Sequence, residues 1–205
     1  MKNILISCLL LAGFTLQAQD IILPAPQKTG GEPLMEVLAA RKSARQFADR
    51  ALPMSELSNL LWAADGINRE DGRRTAPTAR NMQQIDIYIF IPEGIYLYDH
   101  TRHQLKQVRK GDYRAEIALG DFAKKAPLLL VYVANYDKMQ GMPQEAMDLY
   151  GATDCGNISQ NVYLYCTSAK LNTVAIGSIN KDKIKELAGF GNGKAILGQP
   201  VGYPE

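Results

Sequence analysis

Ile85-Asp86-Ile87-Tyr88-Ile89-Phe90-Ile91 places isoleucine at every second position, and Pro92-Glu93-Gly94 interrupts it before Ile95-Tyr96-Leu97-Tyr98 resumes. Alternation with a period of two is the pattern of a strand, and a Pro/Gly break between two such runs is the pattern of a hairpin. The middle of the chain is therefore antiparallel. Downstream, residues 127–134 form an unbroken apolar run (Leu128 to Val133), which suits a central strand covered on both faces. Two more strands are expected at 172–176 and 195–203. Helices are expected at about 33–41, from Ser55 to Gly66, at 112–124, at 147–170 and at 180–188, with an exposed loop at 67–76. Strands and helices interleave around the hairpin, so the class is α+β or mixed α/β with a largely antiparallel sheet.

The chain has 205 residues and a formal net charge of +2. That length suits one domain, and that charge gives no argument for nucleic acid or an anionic membrane. Residues 1–18 read as a secretory signal: Lys2, an apolar run from Ile4 to Leu16, and a small residue at Ala18. The run is too short for a stable membrane span, and Cys8 comes too early for a lipidated cysteine. The expected location is the periplasm or the exterior. Residues 19–33 form a Pro/Gly-rich leader, expected to be extended over the surface of a domain at 34–205. Cys155 and Cys166 both fall in the long helix on one face. Eleven residues of helix rise about 16 Å, beyond disulfide reach, so both are expected to be packing thiols. No metal-ligand spacing occurs, and His100 and His103 fall in a hairpin region.

Four stretches have chemical potential. Arg41-Lys42-Ser43-Ala44-Arg45-Gln46-Phe47 follows the first helix and offers forked, point-charge and hydroxyl donors suited to a terminal phosphate. In extended chain Ser43 and Arg45 point the same way; a solvated basic turn is the alternative. Pro77-Thr78-Ala79-Arg80-Asn81 offers a hydroxyl and a carboxamide to a flat heteroaromatic ring, or is an Asn-stabilised turn. Ile176-Gly177-Ser178 ends a strand where backbone can approach a planar ligand, or simply turns into the next helix. Gly151 and Gly156 interrupt the long helix, which close helix packing or a kink would explain.

The order of these motifs resembles the nitroreductase superfamily: Arg-Lys-Ser-x-Arg after a helix, Pro-Thr-Ala-x-Asn before a strand, and an Asp154-x-Gly156 helix with Gln160-Asn161. The strand ending Ala175-Ile176-Gly177 and the closing Val201-Gly202-Tyr203-Pro204 belong to the same series. Gly94 to Asp99, His103-Gln104-Leu105 and Ala126-Pro127 look most like the branch that includes the SagB-type azoline oxidases, whose extra catalytic residues are not found here. The resemblance runs from about Leu34 to Pro204. It implies an FMN-binding fold that forms a homodimer through the long helix, with Gly151 and Gly156 at the contact. It also implies that Arg41, Lys42, Ser43 and Arg45 hold the phosphate, the ribityl chain and the pyrimidine edge, and that Ile176, Gly177 and Ser178 lie near the ring. Pro77, Thr78, Ala79 and Asn81 would come from the other subunit. Many relatives carry a further cation after the Gly-Tyr-Pro strand; this sequence ends at Glu205, so that cation is either missing or supplied from elsewhere, with Lys124 and Lys125 as candidates.

The implied activity is two-step electron transfer from NAD(P)H or a periplasmic donor through FMN to a small acceptor such as a nitroaromatic or quinone, with no obligatory catalytic side chain and no metal. The alternative is a non-catalytic flavin carrier on the same fold. Tyr96, Tyr98, Tyr132, Tyr163, Tyr165 and Trp62 are expected to serve packing. Tyr136, Met139 and Met142 are candidates for a mobile lid over the substrate.

Overall fold

The computed structural model describes residues 19–205; the signal-peptide reading of 1–18 lies outside them. Seven strands form one sheet: β1 (Ile21–Ile22), β2 (Ile85–Ile91), β3 (Gly94–Asp99), β4 (Gln104–Lys110), β5 (Leu128–Asn135), β6 (Asn172–Thr173) and β7 (Gly193–Gly202). Their order is β1-β4-β3-β2-β5-β7-β6, and every neighbouring pair is antiparallel. The helices are α1 (Leu34–Ala40), α2 (Met54–Asp65), α3 (Arg114–Ile117), α4 (Asp121–Lys125), α5 (Gln144–Ser168) and α6 (Lys181–Ala188).

The hairpin at β2–β3 is as the alternation requires, with Ile89 opposite Tyr96. Ile85, Ile87, Ile89 and Ile91 face a core shared with Leu57, Leu60 and Leu61 of α2 and Ile158 and Val162 of α5. Tyr88 and Phe90 face the opposite core, with Ile117, Ile184 and Leu187. β5 divides likewise: Leu128, Leu130, Tyr132 and Ala134 on the α2/α5 side, Leu129, Val131 and Val133 on the other. This is why its sequence is apolar at every position. Each such side chain contributes about 1.5–3 kcal/mol by leaving water, so the middle of the sheet is the rigid frame.

Several expected elements change. The hairpin continues into β4, so the sequence forms a three-strand meander; Gln, Lys and Arg mask the alternation of an edge-side strand. The helix expected at 112–124 is two short helices, because Ala118 pairs as an isolated bridge with Ile179 and Gly120 is extended. The strand at 172–176 keeps ladder pairing only at Asn172 and Thr173, with Ile176 joined to Gly198. The loop at 67–76 is not simply exposed: Arg74 donates to Asp65 at 2.7 Å, both largely buried. Tyr136 and Met139 are buried in the core rather than poised as a lid. Gly151 lies against β5, where an added Cβ would sit 2.9 Å from Ala134 Cβ, so it serves the sheet and not a helix–helix contact. Gly156 has open space around it.

The 19–33 segment is tied to the rest of the chain. Ile21 and Ile22 pair with Leu105 and Gln104, Ser58 Oγ donates to Pro24 O at 2.6 Å, and Asn59 Oδ1 accepts from Gln27 N at 2.7 Å. Cys155 and Cys166 are buried free thiols; burial pushes the first up to about 12 and the second higher still.

Candidate functional site

Beyond α1 the chain turns extended at Arg41 and runs beside β6. Ala44 N donates to Thr173 O at 3.0 Å, Asn172 Nδ2 to Gln46 O at 2.7 Å, and Ala48 N to Tyr203 O at 2.9 Å. These backbone ties fix the basic segment. The Arg41 guanidinium sits 5.2 Å from the Tyr163 ring centroid, and Arg45 sits 5.7 Å from that of Phe122. Lys42, Ser43 and Arg45 are exposed. Among the described residues no carboxylate forms an ion pair with Arg41, Lys42 or Arg45. Three cations without protein counter-charges beside a hydroxyl are a donor set suited to a phosphate.

The strand end at 176–178 is linked to this segment through Tyr163. Ile176 and Gly198 exchange hydrogen bonds at 2.8 and 2.9 Å, and Ser178 O accepts from Leu119 N at 3.3 Å. Gly177 and Ser178 are exposed, and a Cβ on Gly177 would meet nothing within 4 Å. Open space beside a backbone pinned on both sides fits the face of a planar ring. Tyr163, on α5, joins the two stretches: Ser43 Oγ is 2.9 Å from its Oη, and Ala175 N donates to the same oxygen at 2.8 Å.

Pro77, Thr78, Ala79 and Asn81 sit elsewhere along α5. Asp154, only 4% exposed, accepts from Ala79 N at 3.0 Å and from Gln84 Nε2 at 2.6 Å through one carboxylate oxygen. Thr78 Oγ1 donates to Gln84 Oε1 at 2.9 Å and accepts from Gln83 N at 3.1 Å. The Thr78 hydroxyl thus shapes its own turn, where the sequence had suggested a contact to a ring. Arg80, Asn81 and Gln83 have φ of 52°, 56° and 51°. Three left-handed non-glycine residues in four positions are strained, and such strain persists only where surroundings enforce it; Asp154 and Gln84 do so here. Asn81 is exposed. Asp154 and Tyr163 are nine residues apart, about 13 Å of helix rise, so one chain holds the two sets of residues at separate stations of α5.

Lys124 and Lys125 line a cleft of about 430 Å³ with Phe47, Ala48, Asp49, Arg114 and Glu205. Both candidate replacement cations thus flank the Phe47 end of the basic segment, on the same short helix as the Phe122 ring that Arg45 approaches, and Lys124 pairs with Asp121. The sequence offers Tyr163 only as packing and Asp154 only as part of the Asp154…Asn161 motif; Tyr163 falls two residues beyond that motif, with nothing to set it apart from core.

An antiparallel sheet flanked by helices, with a cationic segment tied through Tyr163 to an open strand end, defines the α+β architecture of this chain. The chain belongs to the Nitroreductase family, which it matches over residues 38–203. It is 31% identical over 179 residues to a protein of Methanocaldococcus jannaschii assigned to the nitroreductases, covering 82% of this chain and 90% of that one. A crystal structure from Ralstonia eutropha JMP134, likewise assigned as a nitroreductase, superposes with a TM-score of 0.86 at 41% identity, covering 91% and 90% of the two chains. The NADPH:FMN oxidoreductase of Vibrio harveyi, solved with NAD+, shares the fold at a TM-score of 0.63 and 21% identity, over 84% of this chain and 69% of that one.

Proposed function

We propose that the protein is an FMN-dependent oxidoreductase acting as a homodimer, carrying electrons in two steps from a reductant to a small organic acceptor such as a nitroaromatic or quinone. The observation that carries the reading is the set of Arg41, Lys42 and Arg45, without carboxylate partners among the described residues, together with the Ser43 hydroxyl, beside the open strand end at Ile176, Gly177 and Ser178. Bound FMN would supply the redox chemistry. Arg41 and Ser43 would hold its phosphate, Lys42 would add charge along the ribityl chain, and Arg45 would offset negative charge at the pyrimidine edge. The open backbone at Gly177 and Ser178 would face the ring.

The dimer rests on α5, whose exposed positions Leu149, Ala152, Thr153, Gly156 and Gln160 recur at helical spacing. Leu34 and Met35 of α1 are also 60% and 75% exposed. Two-fold pairing along this stripe would carry the Pro77–Asn81 turn of one subunit toward the cationic segment of the other, and would give Gly156 its use. The domain would be residues 34–205 with 19–33 as its strap, and a cleaved signal at 1–18 would place it in the periplasm, where the donor would be NAD(P)H or another reductant. Within the family, the motif order supports the branch that includes the SagB-type proteins, without their azoline chemistry.

Mixing the FMN-loaded protein anaerobically with NADPH, then with a nitroaromatic, tests the reading: loss and return of the flavin absorption are expected. A flavin that resists every donor and exchanges freely with solution would instead favour a carrier, a reading supported by the pairing of Lys124, one of the two candidate replacement cations, with Asp121.

A further inference from the structure

We infer that Tyr163 is the positioning residue that gives the site its preference for a phosphorylated flavin over the unphosphorylated one; this rests on the FMN reading above. The direction of its hydrogen bonds makes the argument. A backbone N–H can only donate, so Tyr163 Oη accepts from Ala175 N at 2.8 Å. Tyr163 is 9% exposed and Ser43 is exposed. If Ser43 donated to Tyr163, the phenol proton would be left buried without an acceptor, which is costly. The satisfied arrangement has Tyr163 donating to Ser43 Oγ at 2.9 Å. The Ser43 proton is then directed outward, available to a phosphate oxygen.

The same ring carries the Arg41 guanidinium at 5.2 Å, a cation–π contact that keeps its fork beside Ser43. One side chain thus sets both phosphate-facing groups and ties them to Ala175, two residues before Gly177. The chain gains from Tyr163 a fixed spacing between its phosphate end and its ring end. A phenylalanine would keep the ring under Arg41 and remove only the hydroxyl, freeing Ser43 to turn and leaving Ala175 N unpaired.

The test is fluorescence titration of the full mature protein with FMN and with riboflavin, for wild type and Tyr163→Phe. Wild type should prefer FMN, and Tyr163→Phe should lower the FMN-to-riboflavin preference about tenfold, the size of one charge-assisted hydrogen bond. Equal weakening of both ligands, or no change in either, would overturn the proposal by making Tyr163 a packing residue. Ser43→Ala, at an exposed position, gives an independent check even if Tyr163→Phe folds poorly: its preference must fall too. Adding Ser43→Ala to Tyr163→Phe should cost little more than either alone, and a full second loss would overturn the coupling. A wild type that binds neither ligand would remove the FMN reading itself, and Tyr163's role with it.

Discussion

At Gly177 the backbone is held from both sides while its α-carbon faces open space. Gly177→Val should therefore leave thermal stability within about 0.5 kcal/mol of wild type while lowering FMN affinity at least tenfold, a contrast that differential scanning fluorimetry and flavin titration read together. Asp154→Ala should behave in the opposite way. It strips one acceptor from two buried donors beneath a strained turn, and should cost about 2–4 kcal/mol in urea unfolding. At this scale the sequence was informative about which residue types could bind, less so about which bind the protein itself. Arg41, Ser43, Arg45 and Gly177 stand out as candidates because clustered cations and a strand-end glycine have few structural uses. The Thr78 hydroxyl bonds its own turn within this chain, one of the two readings its stretch allows, and a tyrosine on a helix reads as core until the fold places its oxygen between Ser43 and Ala175.

Among the elements, α5 does the most. It covers one face of the sheet through Cys155, Ile158 and Val162, and it carries Asp154 and Tyr163 at its two stations. Its outward stripe is the proposed dimer contact, so Leu149→Arg with Gly156→Arg should convert dimer to monomer in analytical ultracentrifugation and weaken FMN binding, if two subunits complete each site. Unchanged mass with unchanged binding would remove α5 from the interface. The long helix was readable from the sequence to within one turn at each end, since its start is set by Pro143. The helix at 112–124 was not, because the competing pairing of Ala118 with Ile179 is non-local. β4 was hidden because its outward residues Lys106, Arg109 and Lys110 lengthen the polar content of a strand only half covered.

The whole molecule is stapled at one end by a titratable network. Ser58 donates to Pro24 O, so His103 Nε2 donates to Ser58 Oγ at 2.7 Å and His103 Nδ1 accepts from Tyr98 at 2.8 Å. His100 Nε2 lies 3.0 Å from Asp65, off the direction of a hydrogen bond, with Arg74 already paired to that carboxylate. Burial lowers both histidines below the usual value, in His100 against the pull of Asp65. A lowered histidine makes the unfolded chain bind more protons, so stability is full above the unfolded value of about 6.5 and falls as pH drops below it. Melting temperature should decline between about pH 6.5 and 5, and His100→Phe should flatten that limb; an unchanged slope would remove His100 from the effect. The visible spectrum after FMN loading and desalting tests the proposed flavin site most directly. Wild type should retain about one flavin per chain, and Arg41→Ala should lose the flavin band. A colourless wild type, or equal retention by both, would contradict it.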